Sequence, residues 1–251
     1  MIFYFIPFLY FFETRVKTTY SKVSWLFIYI IPLLLFLYIE NGINVFQTLL
    51  YVACVYSAYE MGYIFNDAVT TKREVNPTRR LDKEQQGFFD KFEPYIFLGR
   101  SLILSLLLYL YHFFYGGVYL LIINIFLIIV VFWVYNSIRN RFNLILHLVL
   151  VTLRFAFIGY SLSGFDSFIV LFFLFPLVNF LERASQTRFN LIFFQKLIFS
   201  NKTSGRYCYY FMCTLLACLL QLSHLTIGMF FYFFLYRLLS LILVKVTRVT
   251  I

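Results

Sequence analysis

Residues Val45–Leu81 read VFQTLLYVACVYSAYEMGYIFNDAVTTKREVNPTRRL. The first half is an apolar run long enough to cross a hydrocarbon layer about 30 Å thick, since an α-helix rises about 1.5 Å per residue. The second half turns polar abruptly. Asn66 and Asp67 open it, Glu74 follows, and Lys72, Arg73, Arg79 and Arg80 surround Pro77. A long apolar run reads as a helix, because in lipid a segment must satisfy its own backbone hydrogen bonds. This stretch therefore predicts a membrane helix that ends in a charged surface loop, and the rest of the chain repeats the pattern.

The chain has 251 residues, of which 62% are apolar and 13% charged. A soluble domain would have about 45–50% apolar and about 25% charged residues. The fold predicted is all-α: a polytopic integral membrane bundle forming a single domain over 1–251. Apolar runs near 23–39, 44–66, 94–114, 117–135, 144–162, 167–182, 207–223 and 226–245 predict about eight transmembrane helices. The N-terminal MIFYFIPFLYFF is too short to span and lacks the basic start of a signal peptide, so it reads as an interfacial helix. Cys54, Cys208, Cys213 and Cys218 all fall in apolar runs without CxxC or metal-ligand spacing, which makes them small hydrophobes.

Charge placement orients the bundle. Of the 21 Lys and Arg residues, only Arg100, Arg154 and Arg237 fall in the interior of predicted spans, with Lys245 at the end of the last one. The others lie in connections 13–22, 67–93, 136–143, 183–206 and the C-terminal tail, while the alternate connections carry none. The positive-inside rule then places both termini and the two long loops in the cytoplasm. This accounts for the net charge of +10 without a nucleic-acid partner, which would need its cations gathered on a soluble face. Loops 67–93 and 183–206 follow the second and sixth spans and are expected to cap a central cavity.

Glu60, Tyr63 and Asp67 fall on one helical face. If the helix continues, Thr70, Thr71 and Glu74 extend that face, with Asp67 and Glu74 about 10 Å apart along the axis. A charged side chain within a span faces a cavity or a partner. Glu60 is thus either catalytic or paired with a buried Arg, Arg154 or Arg100. Asp67 and Glu74, beside Asn66, are hard oxygen donors suited to Mg²⁺ retained by a bound phosphate. Lys72, Arg73, Arg79 and Arg80 can meet the remaining phosphate charge. The alternative for these cations is the positive-inside bias alone.

The stretch NDAVTTKREVNPTRRL resembles the first acidic signature of the UbiA superfamily of intramembrane prenyltransferases, Asn-Asp-x-x-Asp-x-x-x-Asp followed by basic and Pro-x-x-Arg-like elements. Asn66 and Asp67 match, Thr70 replaces the second Asp, Glu74 keeps the third charge, and Asn76 to Arg80 match the tail. The resemblance implies eight or nine spans, Mg²⁺ as cofactor, a diphosphate-bearing donor, and metal-binding acidic motifs after the second and sixth spans. The second motif here is thin. NFLERASQTRFN offers Glu182 as its single acid, with Asn179, Gln186 and Asn190 as neutral donors.

That region looks more like the decaprenyl-phosphate phosphoribosyltransferase branch, where a basic-Arg-aromatic-x-Glu run stands. Arg183 matches the Arg and Gln186 falls at the Glu position. Tyr135 and Arg139 resemble a Tyr-x-x-x-Lys element, Arg154 an intramembrane Arg, and SGRYCY a Gly-Arg-Tyr element around Arg206. The implied site has Asp67, Glu74 and Glu60 as catalytic groups and Asp67, Glu74 and Glu182 on the metal. Asn66, Lys72, Arg73, Arg79, Arg80, Tyr135, Arg139, Arg154, Arg183 and Gln186 would hold phosphate. The expected activity moves phosphoribosyl from phosphoribosyl pyrophosphate to a polyprenyl phosphate, in a bacterial plasma membrane. The alternatives are prenyl transfer from a diphosphate to an aromatic or lipid acceptor, and a non-enzymatic lipid-binding relative.

Overall fold

The computed structural model describes residues 1–74, 77–138, 140–196 and 202–247. All regular elements among them are helical. In chain order they are α1 (Leu9–Thr14), α2 (Thr19–Trp25), α3 (Ile31–Asn41), α4 (Val45–Ala68), α5 (Lys83–Tyr115), α6 (Tyr119–Ser137) and α7 (Asn143–Arg154). There follow α8 (Ala156–Ser163), α9 (Phe165–Leu174), α10 (Pro176–Ala184), α11 (Ile192–Lys196), α12 (Lys202–Leu219) and α13 (His224–Thr247). The chain divides into two compact units, one of residues 1–30 and 43–146, the other of 31–42 and 147–251.

Six helical stretches are long and apolar enough to cross a membrane: Thr19–Asn41, Lys83–Tyr115, Tyr119–Ser137, Asn143–Ser163, Phe165–Ala184 and His224–Ile242. The protein is an integral membrane protein. The other two predicted spans correspond to α4 and α12, which form helices but are not among the six. For α4 the reason is its interior role. Tyr51, Tyr56, Ser57, Tyr59, Glu60 and Asp67 are all buried, so its polar groups meet protein rather than lipid.

In the first unit, caps set the helix starts. The Asn44 side chain accepts from the N–H groups of Phe46 and Gln47 and starts α4. Asp82 and Gln85 form a reciprocal capping box that starts α5, and Pro94 accompanies a kink at Phe92 (φ −120°, ψ 15°) in that helix. Gly62 lets α6 approach α4, because a Cβ there would lie 2.3 Å from Cγ of Phe132. Phe132 is wedged between Tyr59 and Tyr63 at centroid distances of 4.6 and 5.7 Å. Gly62→Ala is therefore expected to destabilise this unit by about 1–3 kcal/mol, read as a lower melting temperature in detergent. An unchanged melting temperature would show that the ring moves freely.

The N-terminal segment is packed into the first unit. A 3₁₀ turn, Ile2–Tyr4, and α1 pack against α4 and α5. Tyr4 and Tyr10 are fully buried in one cluster with Ile64, Ala68, Phe89 and Ile96. The Tyr4 hydroxyl donates to the Gln85 carbonyl at 3.0 Å. Tyr4, Tyr10 and Phe11 of the segment are core residues, which composition alone did not separate from lipid-facing ones.

In the second unit two helical hairpin arms break in mid-course. Phe155 (φ −128°, ψ −59°) separates α7 from α8, and Phe175 (φ −124°, ψ −62°) separates α9 from α10. Their rings lie 4.9 Å apart. Pro176 follows the second break and brings no N–H of its own. An unmet carbonyl in lipid costs several kcal/mol. Here the hydroxyls of Tyr209 and Tyr210, on α12, donate to the carbonyls of Phe173 (2.6 Å) and Leu174 (2.8 Å).

Candidate functional site

The charged face of α4 is resolved into two different sites. Glu60 and Arg100 form a fully buried ion pair, with Arg100 Nη1 2.6 Å from Glu60 Oε2. Of the two arginines considered for Glu60, Arg100 is the partner. Glu60 also accepts from the N–H groups of Phe8 (3.0 Å) and Phe11 (2.7 Å). Arg100 donates to the carbonyls of Tyr4 (2.6 Å), Phe3 (3.2 Å) and Ile6 (3.3 Å). Both side chains are spent on holding the N-terminal segment. A catalytic role for Glu60 does not fit these contacts, since each of its oxygens is occupied by a donor that the fold itself needs.

Two turns further on, Asp67 is held from several sides. Arg15 Nη2 donates to Oδ1 at 3.0 Å, and its Nη1 lies 2.7 Å from Oδ2 as an ion pair without hydrogen-bond alignment. Arg80 Nη1 (3.1 Å) and Asn66 Nδ2 (3.1 Å) also meet Oδ1, and the Tyr10 hydroxyl donates to Oδ2 at 3.1 Å. Burial, and next the adjacent Asp67 charge, push the Tyr10 hydroxyl well above its ordinary range, so it remains a donor. For Arg15, burial works to lower the pKa, and the Asp67 carboxylate more than offsets it. The guanidinium also lies over the Tyr63 ring, 4.3 Å from its centroid.

α4 ends at Ala68, so Glu74 does not continue the acidic stripe. A 3₁₀ turn, Thr70–Arg73, intervenes, with Glu74 already in extended conformation. The β-branched run Val69-Thr70-Thr71 disfavours further helix, and the Thr71 hydroxyl donates to the Asp67 carbonyl at 2.6 Å.

Beside Asp67 opens a cleft of about 360 Å³, lined by Asp67, Thr71, Lys72, Arg79, Arg80 and Leu81 from the loop, and by Asp82, Lys83, Gln86, Gly87 and Asp90 at the start of α5. It unites four of the phosphate-binding candidates or their neighbours: Asn66 through Asp67, and Lys72, Arg79 and Arg80 directly. Arg73 is exposed and does not line it. Lys72 pairs with Asp90 at 2.6 Å, and Gln86 Nε2 donates to both Asp90 (2.8 Å) and the Ala68 carbonyl (3.1 Å).

The remaining candidates are not among the residues that line this cleft. Tyr135 ends α6 beside Phe132, and Arg139 and Asn76 lie outside the described residues. In the second unit Glu182 is paired with Arg206, whose Nε is 2.7 Å from Oε2, and Arg206 reaches Asn179 at 3.5 Å. Arg183 closes α10, Gln186 begins a 3₁₀ turn, and Arg154 lies at the α7 break over the Phe155 ring at 4.6 Å.

The Mg²⁺ expectation meets a difficulty in this arrangement. No group of three or more His, Cys, Asp and Glu side chains placed to hold a metal exists among the described residues. Mg²⁺ can manage with one or two carboxylates plus phosphate, but the Asp67 oxygens already accept from two guanidiniums, a phenol and an amide. Asp90 is taken by Lys72 and Gln86, and Asp82 caps α5. The carboxylates present do not fit a resident Mg²⁺ in this conformation.

Four polar cleft residues had not been singled out from sequence: Asp82, Lys83, Gln86 and Asp90. Asp82 and Gln85 carry the capping-box spacing, and Gln86 and Asp90 are one helical turn apart, so this helix start was readable. Arg15 and Tyr10 carry no local signal, being 52 and 57 positions from Asp67. No protein-family model, curated protein or solved structure matches the chain.

Proposed function

We propose that the protein is a UbiA-like membrane transferase that moves phosphoribosyl from phosphoribosyl pyrophosphate to a polyprenyl phosphate. In this reading α4 and α12 complete eight crossings, and the cleft beside Asp67 faces the cytoplasm. The single observation that carries it is the cleft, where cations from one loop gather at the start of a 33-residue helix. Its volume and charge suit a diphosphate. In the reaction an oxygen of the lipid phosphate attacks C1 of the ribose. The bond from C1 to the pyrophosphate oxygen breaks, and pyrophosphate leaves with the electron pair. Arg79, Arg80 and Lys83 would stabilise the charge that develops on the leaving group.

One observation favours a second reading, a lipid-binding relative without turnover: the full set of donors on Asp67. Reconstituted protein supplied with labelled phosphoribosyl pyrophosphate and a polyprenyl phosphate decides between them. Label in the lipid fraction with matching pyrophosphate release is expected. Turnover of a prenyl diphosphate with an aromatic acceptor instead would assign prenyl transfer. Retained polyprenyl-phosphate binding with neither reaction would assign the non-enzymatic role.

A further inference from the structure

We propose that the cleft beside Asp67 binds a diphosphate group through side-chain cations alone, with Asp67 acting as a positioning residue for arginine and not as a metal ligand. The inference rests on the functional reading above for the origin of the diphosphate, but its geometry is independent of it.

The three carboxylates that line the cleft each have a structural task. Asp82 caps α5, Asp90 holds Lys72 and Gln86, and Asp67 gathers Arg15, Arg80, Tyr10 and Asn66. The cations are less committed. Arg79 and Lys83 line the same space and have no acidic partner among the described residues. Arg80 touches Asp67 through Nη1 only, which leaves the rest of its fork of donors for a ligand. Arg15 stands behind Asp67 with its side chain 14% exposed and neutralises that carboxylate from the protein side. The surplus positive charge thus falls on the open side of the cleft, where a phosphoryl group would meet it.

A divalent ion on Asp67 would have to replace both guanidiniums. It would leave Arg15 buried without its counter-charge, which the interior disfavours strongly. A diphosphate that approaches Arg79, Arg80 and Lys83 displaces nothing. It also meets the first turn of α5, whose N-terminal end carries partial positive charge. Arginine forks match phosphate oxygens two at a time, so these side chains can take the part that a metal plays in other diphosphate sites.

The test is titration calorimetry of the full chain in phosphatidylcholine nanodiscs, with inorganic pyrophosphate as probe, first with EDTA and then with Mg²⁺. Binding in EDTA is expected, with equal or weaker affinity once Mg²⁺ sequesters the probe. Binding that appears only with Mg²⁺ overturns the inference. Arg79→Gln and Arg80→Gln are each expected to weaken binding about tenfold, the loss of roughly one charge-assisted contact. Asp67→Asn should weaken it similarly, and Asp67→Asn with Arg80→Gln should be no weaker than Arg80→Gln alone. Additive losses would overturn the positioning role.

Lys83→Gln, an exposed change that leaves the Asp67 cluster intact, keeps the test valid if the Asp67 variant fails to fold. An unchanged affinity there counts against the cleft. Nanodiscs doped with phosphatidic acid separate a soluble source of phosphate from a lipid headgroup. Strong competition there assigns the cleft to lipid and overturns the soluble-donor assignment. Metal-free pyrophosphate binding without phosphoribosyl transfer would leave this inference standing and remove the transferase reading. Transfer together with strictly Mg²⁺-dependent binding would do the reverse.

Discussion

Arg100→Leu is expected to remove most of the stability of the first unit. The guanidinium is fully buried, paired with Glu60 and hydrogen-bonded to three carbonyls of residues 3–6. Deleting one member of a buried pair leaves an uncompensated charge and costs about 3–5 kcal/mol. The three carbonyls lose their donor as well, at about 1–3 kcal/mol for each that finds no water. Against a typical total of about 5–15 kcal/mol, little folded protein should remain. The measurement is the monodisperse fraction after heating in detergent, with proteolysis of residues 1–15 as a local probe. A melting temperature within a few degrees of wild type would mean that the N-terminal segment is not anchored through Arg100. Glu60→Gln keeps an acceptor for one of the two backbone N–H groups of Phe8 and Phe11 but leaves the Arg100 guanidinium buried without its counter-charge, so a loss of about 3–5 kcal/mol is expected there too.

The second large effect concerns Asp67. Asp67→Leu alone leaves Arg15 buried against Tyr63 without its carboxylate and should cost about 3–5 kcal/mol. The same change combined with Arg15→Leu replaces a charged pair by apolar volume, and such exchanges are often neutral or stabilising. The double variant is therefore expected to recover most of the lost stability, while Arg80, with its side chain 32% exposed, turns to water. Transfer activity should stay about tenfold or more below wild type in both, because Arg80 loses the group that aims it. The decisive comparison is stability against turnover across the wild type, the two single variants and the double. Activity that returns together with stability would show that Asp67 matters only for folding.

Much of the architecture was legible because membrane helices announce themselves through long apolar runs and through the Lys and Arg residues that flank them. The helix over 45–68, the cap at Asp82 and the loop cations Lys72, Arg79 and Arg80 all follow from local rules. What was not legible has two physical origins, pairing over long sequence separation and a local helix end. Glu60 could be assigned a buried Arg but not which one, since Arg100 and Arg154 satisfy the same rule. Asp67 reads as a metal ligand beside a phosphate loop from its neighbours in sequence alone; its shortest contact, to Arg15 at 2.7 Å, comes from 52 positions away and leaves no local signal. Glu74 was placed on the acidic stripe by extending a helix through Val69-Thr70-Thr71, where the Thr71 hydroxyl instead bonds back to the Asp67 carbonyl. α4 shows how inward polar residues depress the apolar signal of a helix whose neighbours, not lipid, meet its polar groups.

The docking of residues 1–15 sets an order of assembly. These residues are made before α5, yet the carbonyls of Phe3, Tyr4 and Ile6 have no seat until Arg100 has been translated and α5 lies beside α4. Through the synthesis of the intervening eighty-odd residues this segment must wait outside its slot, with Tyr4 and Tyr10 not yet in the cluster that buries them. Closure of the first unit thus waits on α5, and a change that weakens the Arg100 seat would act on that event before it acted on the finished protein.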